Sequence, residues 1–240
     1  MEGLNLPDKQ KKILAEFLEG LKKIYKENLI SVILYGSAVA GGFSRIFSNL
    51  NLLVIMKDVS LSVLVKCDKL IRRYPGIQAL FFTPEYIYSS LDTFPIEFLD
   101  IKDSYRVLYG EDILKDLNID AKNLRFQCEH ELKIQLVGLR HIYLKIHRSR
   151  HALAFALSSS FTSLLHILRN VLRIKGRQPP TKKEEILEEL SSEFDIDLDI
   201  WGRLFKLKQG QLRLNRNELE TLYIDFIRDL ENLVEAIDKL

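Results

Sequence analysis

The chain opens with apolar positions at helical spacing. Between residues 8 and 26, leucine, isoleucine and phenylalanine recur every three or four positions, and lysine and glutamate fill most of the others. This period is typical of an amphipathic helix with one buried face. Two shorter runs follow at 30–35 and 50–55, both rich in β-branched and aliphatic residues. They predict two buried strands, separated by a glycine-bearing turn.

The same alternation of patterns continues to about Gly110. Pro75-Gly76 ends a helical segment, and Pro95 precedes an apolar run that has the length of a strand. A threonine followed by proline is typical of an N-cap and first helical position. The pattern therefore predicts a helix at 60–74, strands at 77–82, 96–101 and 105–109, and a short helix that begins at Thr83-Pro84.

From about residue 120 every segment has helical period. Pro179-Pro180, followed by Thr181 and Glu184, predicts a break and a new helix that opens with a capping box. The predicted fold class is α+β, with an α/β domain at 1–117 and an all-helical domain at 118–240. The predicted helices of the second domain are 120–147, 150–175, 181–194, 198–207 and 216–239.

Composition adds few special constraints to this picture. The chain is 47% apolar and 28% charged, as in ordinary globular proteins. Its two cysteines, Cys67 and Cys128, are 61 residues apart and have no metal-ligand spacing, so neither a disulfide scaffold nor a zinc site is predicted. No signal-peptide pattern and no run of 18 apolar residues occurs, which predicts a cytoplasmic protein without a membrane partner.

The stretch from Val32 to Ile55 carries the most specific motif. A strand ends in Gly36-Ser37, and about a dozen residues later Asn49 and Asn51 lead into the next strand. This order resembles the nucleotidyltransferase superfamily of the polymerase beta type, in which a strand, Gly-Ser, a similar interval and Asp-x-Asp follow one another. A helical bundle after such a domain also resembles stand-alone bacterial members, so the resemblance covers most of the chain.

The resemblance implies roles for particular residues. Gly36, Ser37 and the nearby Arg45 would contact the phosphates of a nucleoside triphosphate, because glycine permits close approach and a hydroxyl donates hydrogen bonds. Paired acids on one strand face would hold two divalent ions about 3.5–4 Å apart. A third carboxylate on a later strand corresponds to Glu97 or Asp100. On a strand their spacing of three directs them to opposite faces, and family position favours Glu97.

Both expected aspartates are asparagines here, Asn49 and Asn51. Mg²⁺ is normally held by one or two carboxylates together with substrate phosphates, and neutral amides are poor substitutes. The sequence therefore predicts a degenerate member that binds a nucleotide, such as a nucleoside triphosphate, or another phosphorylated ligand, with impaired or absent transfer, and it gives little support for a Mg²⁺ cofactor. The alternative is an active Mg²⁺-dependent nucleotidyltransferase on a small-molecule, protein or RNA hydroxyl, in which Glu97 or Asp100 holds a single metal ion.

Charge is separated along the helical half, although the whole chain has a net charge of only +2. Residues 123–180 contain ten Lys and Arg and two acids, whereas residues 181–240 contain nine basic and fifteen acidic residues. The two blocks either pair with each other, or the basic block binds a nucleotide or an RNA backbone.

Two clusters in the basic block have competing interpretations. The segment Arg140–His151 is either a solvated helix end or a phosphate-binding corner, and it also resembles the loose signature of HEPN-type helical domains, some of which cut RNA. The serines at 158–160 and 163 either permit close helix packing or line a substrate cleft between the domains. The sequence makes no prediction of oligomeric state.

Overall fold

The structure is a computed structural model that describes residues 4–40, 49–180 and 182–240. The chain divides into two compact units, Met1–Ile119 and Asp120–Leu240. Each unit has its own secondary-structure composition, a mixed sheet with helices in the first and helices in the second. This is the α+β arrangement that the sequence predicts.

The first unit follows the predicted alternation except at 96–101. The segment at 60–74 is helical but broken, because a 3₁₀ turn at Val65–Cys67 separates two short helices. Thr83 caps the helix that follows the third strand, and its hydroxyl accepts from the Tyr86 N–H at 3.1 Å. The described elements are α1 (Asp8–Tyr25), β1 (Leu29–Tyr35), α2 (Ser37–Ala40), β2 (Leu50–Met56), α3 (Leu61–Leu64), α4 (Asp68–Arg73), β3 (Ile77–Phe82), α5 (Pro84–Ser89), α6 (Pro95–Asp103) and β4 (Tyr105–Gly110).

The four strands form one sheet in the order β3-β2-β1-β4. β1 pairs antiparallel with both β2 and β4, and β2 pairs parallel with β3. The two central strands therefore have neighbours on both edges. A local irregularity between Val32 and Ile33 shifts the β1–β4 register, after which Ile33 pairs with Val107 and Tyr35 with Tyr105.

Alternate residues of the central strands belong to two separate cores, because successive side chains of a strand point to opposite faces. Leu34, Leu52 and Val54 pack in one cluster with Phe17 of α1. Ile33, Leu53 and Ile55 pack in the other, with Ile87 of α5 and Phe98 and Ile101 of α6. Burial on both faces explains the continuous apolar runs of β1 and β2.

Phe17 is fully buried, so truncating it to alanine would cost about 3–5 kcal/mol.

The predicted strand at 96–101 is wrong, since these residues lie in helix α6. Pro95 occupies the first helical turn, where its missing N–H has no partner to lose and its fixed φ favours the helix. Phe98 and Ile101 are three residues apart and both buried, as on one side of a helix. The Thr83-Pro84 pattern has the same proline position and predicts its helix correctly.

The second unit contains five helices among the described residues, each close to its predicted position. Thr181, the predicted N-cap of the third helix, lies outside the described residues; that helix begins at Lys183, and Lys182 caps it without a side-chain hydrogen bond. A capping box does occur at the last helix, between Asn215 and Glu218. The helices are α7 (Ala121–Ile146), α8 (Arg150–Ile174), α9 (Lys183–Glu193), α10 (Leu198–Lys208) and α11 (Arg216–Asp238).

α8 is the central helix of this unit and contacts the other four. Its length of 25 residues and a mean hydropathy of 1.3 over 18 residues would suffice to cross a membrane. A core helix of a bundle meets the same two criteria, and ten residues of α8 are buried. These properties are therefore weak support for a membrane span.

A buried polar contact joins α10 to α11. Trp201 is fully buried, and its indole N–H donates to Asp229 Oδ2 at 2.5 Å. The other carboxylate oxygen of Asp229 accepts from the backbone N–H of Asp197 at 3.1 Å. Burial raises the pKa of Asp229, and the two hydrogen bonds oppose that rise. The nearby Asp197 and Asp195 add to the rise through like-charge repulsion.

Asp229→Asn is expected to reveal this raised pKa. The Asp229 carboxyl has a higher pKa in the native wild type than in the unfolded chain. Because the unfolded chain then releases this proton first, the wild type loses stability as the pH rises from about 3.9 towards the native pKa. The variant has no carboxyl group at this position. The unfolding free energy of the wild type minus that of the variant should therefore decrease as the pH rises over that range. Urea unfolding followed by circular dichroism measures it. A difference that grows with pH would contradict the assignment.

Candidate nucleotide-binding site

The turn after β1 is built on Gly36. Its φ of +78° lies in the left-handed region, where side chains other than glycine are strained. Its N–H donates to the Ser104 carbonyl between α6 and β4 at 2.9 Å. Its own carbonyl accepts from the N–H groups of Val39 and Ala40 at 2.9 and 3.0 Å. One residue thus connects the end of β1, the short helix α2 that begins at Ser37, and the end of α6.

Asn51 lies directly beside this turn. It pairs with Tyr35, the last residue of β1, and a Cβ atom placed on Gly36 would be 3.4 Å from Asn51 Nδ2. Asn49 is exposed just before β2 and two residues earlier, so in an extended chain its side chain points to the same side as Asn51. The structure therefore brings together Gly36 and Asn51.

Asn51 belongs to a polar row that crosses the whole sheet. Its in-register neighbours are Gln78 on β3 and Tyr35 on β1, and Tyr35 in turn pairs with Tyr105 on β4. Residues opposite one another in register share a face of the sheet. We call Gln78, Asn51, Tyr35 and Tyr105 the polar row. The next row on the same face, two residues further into each strand, is apolar and consists of Leu80, Leu53, Ile33 and Val107.

The two tyrosines of the polar row remain neutral phenols. Burial raises the pKa of Tyr35 above its ordinary value. Burial also raises the pKa of Tyr105, whose hydroxyl donates to Asp112 Oδ2 at 3.0 Å, and that hydrogen bond contributes to the rise. At neutral pH the polar row thus consists of two amides and two phenols. Such groups donate and accept hydrogen bonds but carry no charge.

Glu97 and Asp100 lie on α6 and not on a strand. Three residues apart on a helix, they project from the same side, and the argument that placed them on opposite faces is therefore wrong. Glu97 is exposed and Asp100 is half-buried. Asp100 precedes Ser104, the residue bonded to Gly36, by four positions or about 6 Å of helical rise, whereas Glu97 precedes it by about 10 Å. Chain geometry therefore favours Asp100 over Glu97 as the carboxylate nearer the turn.

Two further sequence predictions concern ligands. Arg45, the predicted phosphate contact, lies outside the described residues. Among residues 4–40, 49–180 and 182–240, no group of three or more His, Cys, Asp or Glu is placed to hold a metal ion. Mg²⁺ prefers carboxylate oxygens, whereas Asn49 and Asn51 offer neutral amides. These two amides therefore do not fit the two-metal site that the resemblance implies.

In the helical unit, the basic block makes structural contacts. Arg140 pairs with Glu231 at 2.6 Å, Lys133 lies 3.8 Å from Asp238, and Arg177 pairs with Glu193. Each of these pairs joins residues 123–180 to the acidic residues 181–240. His147 caps α7, with Nδ1 3.2 Å from the Tyr143 carbonyl, and Arg150 donates to the Leu214 carbonyl at 2.7 Å.

The site has signals that the sequence analysis did not use. Gln78, Tyr35 and Tyr105 come from strands whose positions it predicted, but none was singled out. Only the register shows that these side chains align with Asn51. Each is the polar or amphipathic residue near one end of an apolar strand. That position is the one signal by which sequence reasoning could have found them.

The mixed sheet, followed by an all-helical unit, has the architecture of a nucleotidyltransferase-like α+β fold. Among solved structures, the protein is similar to spectinomycin adenyltransferase AAD(9) from Enterococcus faecialis, whose structure contains ATP and spectinomycin. The TM-score is 0.55 at 14% sequence identity, over 92% of this chain and 99% of that chain. The predicted fold is thereby confirmed. The sequence matches no known family model and no curated protein.

Two glycines with positive φ provide a test of the turn. At Gly36, Asn51 Nδ2 is the one described atom that an added Cβ would meet, and it lies at an ordinary distance, so Gly36→Ala should cost about 1–2 kcal/mol of backbone strain. At Gly110, with φ of +75°, the Cβ would lie 1.9 Å from the Ile30 carbonyl oxygen. Gly110→Ala should therefore cost about 3–5 kcal/mol, from strain and overpacking together. Urea unfolding of both variants measures the difference, and equal losses would contradict it.

Proposed function

We propose that the protein binds a nucleoside triphosphate or a related phosphorylated ligand at the Gly36 turn, and that it transfers nucleotidyl groups poorly or not at all. The observation that carries this proposal is the position of Asn51. A neutral amide lies against the glycine turn, at the strand position where the resembling superfamily has a metal-binding aspartate.

Neutral groups at this position favour phosphate binding over metal catalysis. The amides of Asn51 and Gln78 and the hydroxyls of Ser37 and Tyr35 are hydrogen-bond donors, and phosphate oxygens are strong acceptors. Aspartates at the same strand positions would repel a triphosphate unless metal ions intervened. Replacing them with amides removes the repulsion together with the metal site. Arg45, next to the turn in sequence, would supply positive charge.

AAD(9) supports a nucleotide as the ligand, since its structure contains ATP. The adenyl transfer named for that protein is an activity that we do not extend to this chain, because the metal-binding carboxylates are replaced. Its second ligand, spectinomycin, is likewise a property of AAD(9) alone.

A retained transferase activity is the second candidate. The position of Asp100, one helical turn before the residue bonded to Gly36, is the observation that favours it. A single carboxylate together with the triphosphate could hold one Mg²⁺ ion. An RNA-binding function for residues 123–180 is less favoured, because three of their basic side chains already pair with the acidic block.

Thermal unfolding with each nucleoside triphosphate tests the binding proposal. A ligand at about 100 times its Kd adds about 2.7 kcal/mol, which for a protein of this size raises the Tm by several degrees. We expect the shift in EDTA as well as in Mg²⁺, and we expect Ser37→Ala to reduce it. Ser62→Ala, at an exposed serine of the same unit, is the matched control. A shift that requires Mg²⁺, or none with any triphosphate, would overturn the proposal.

The double variant Asn49→Asp/Asn51→Asp tests the account of the lost metal site. Two carboxylates beside the bound phosphates should bind a divalent ion at least about tenfold more tightly than the wild type. Electron paramagnetic resonance of Mn²⁺ with protein and triphosphate measures this affinity. Equal affinity in the two proteins would contradict the account. Mg²⁺-dependent pyrophosphate release by the wild type, abolished in Ser37→Ala, would establish the active enzyme instead.

A further inference from the structure

The longest helix of the second unit carries an apolar surface that faces solvent. Phe126, Val137 and Ile134 of α7 are 66%, 62% and 51% exposed. Ile142 is 44% exposed and, like Ile134, lies four residues from Gly138. Scattered exposed apolar residues are common, but several large ones on one helix mark an interaction surface. We call Phe126, Ile134, Val137, Gly138 and Ile142 the α7 face.

The α7 face is concave on both sides of Gly138. One cavity of about 360 Å³ lies between α7 and α8, where Ala152, Phe155 and Ser159 complete its lining. A second cavity of about 600 Å³ runs along α7 and includes Phe126 and His141. Both cavities share Ile134 and Gly138. A Cβ atom on Gly138 would meet no atom of the described part of the chain within 4 Å, so another helix could approach closely at this point.

The charges on this side of α7 are arranged symmetrically about Gly138. Glu131 lies seven residues before it and Lys145 seven residues after it, and seven residues are nearly two full turns. Both charges therefore lie almost in line with Gly138. Ile134 and Ile142 lie four residues to either side. Among residues 4–40, 49–180 and 182–240, the one ion pair of Glu131 is with His130, at 3.9 Å, and Lys145 makes none.

We propose that the α7 face is the interface of a two-fold symmetric dimer of this chain. When two copies of α7 cross antiparallel at Gly138, Glu131 of each copy lies opposite Lys145 of the other. Ile134 of each copy then lies opposite Ile142 of the other copy. A two-fold interface requires this self-complementarity, in which residue i contacts j and j contacts i. The side chains of one copy fill the two cavities of the other.

The charge pattern favours a second copy over a lipid surface as the occupant. A helix that lies on a membrane presents apolar residues with basic residues around them. The α7 face instead has an acidic and a basic residue in line with its centre. Like charges do not face each other in the antiparallel arrangement, because Glu131 meets only Lys145. The interface thus uses every charge in line with Gly138.

Charge reversal tests the proposed register. Sedimentation equilibrium of the full chain should give a wild-type mass of about twice 27.9 kDa. Glu131→Lys and Lys145→Glu each replace two attractive contacts with two repulsive ones, so each should raise the dimer Kd about tenfold or more at low salt. The double variant Glu131→Lys/Lys145→Glu restores opposite charges and should recover the wild-type Kd. At 1 M salt the differences should nearly vanish.

Mixing the two single variants provides a test that misfolding cannot imitate. In a mixed dimer, each substituted position faces an opposite charge, so the two variants should associate with each other more tightly than either does with itself. Ile134→Glu should abolish the dimer, whereas Ile224→Glu, which changes a similarly exposed residue of α11, should not. A monomeric wild type at micromolar concentration, or a mixture no tighter than its components, would overturn the proposal.

Discussion

Burial of β1 and β2 on both faces is the constraint on which the first unit depends. Their continuous apolar runs require a layer of helices on each side of the sheet, and α1 on one side and α5 and α6 on the other supply it. The exposed or half-buried polar side chains of these strands, Tyr35 and Asn51, lie near the strand ends, whereas Ser31 inside β1 is buried and donates to the carbonyls of Tyr109 and Glu111. The Gly36 turn and the polar row lie at one such end, beside an apolar row in which Ile33 and Leu53 belong to the core. The location of the candidate site thus follows from how the sheet is buried.

Most of the fold could be predicted from local patterns, because helix and strand periods and turn residues act over short stretches of chain. Segment 96–101 shows where local patterns fail. Ile96 and Phe98 alternate as in a strand, and only the proline at the first helical turn and the later Ile101 indicate a helix. Because this segment is a helix, both candidate carboxylates, Glu97 and Asp100, lie on α6 and not on a strand. Gln78 and Tyr105 could not be connected with Asn51 from sequence, since register depends on pairing between distant strands and on an irregularity in β1.

Asn51 differs from the aspartate that the resembling superfamily has at this strand position in charge more than in size. Beside the Gly36 turn it is a neutral amide, whereas an aspartate there would attract a divalent ion and repel a phosphate. The proposed function therefore depends on a change of charge that the glycine turn and the strand pairing accommodate without a change of shape. In the helical unit, separated charges are partly neutralised by pairing within the unit.

Trp201 is the only tryptophan of the chain, and it lies wholly within the helical unit. Its ring is enclosed by Phe161 and Phe226, and its indole N–H is held by the carboxylate of Asp229. Indole fluorescence therefore reports the packing of one unit only. The sheet-containing unit has no tryptophan, and tyrosines occur in both units. Tryptophan fluorescence can consequently follow the unfolding of the helical unit by itself, without any label.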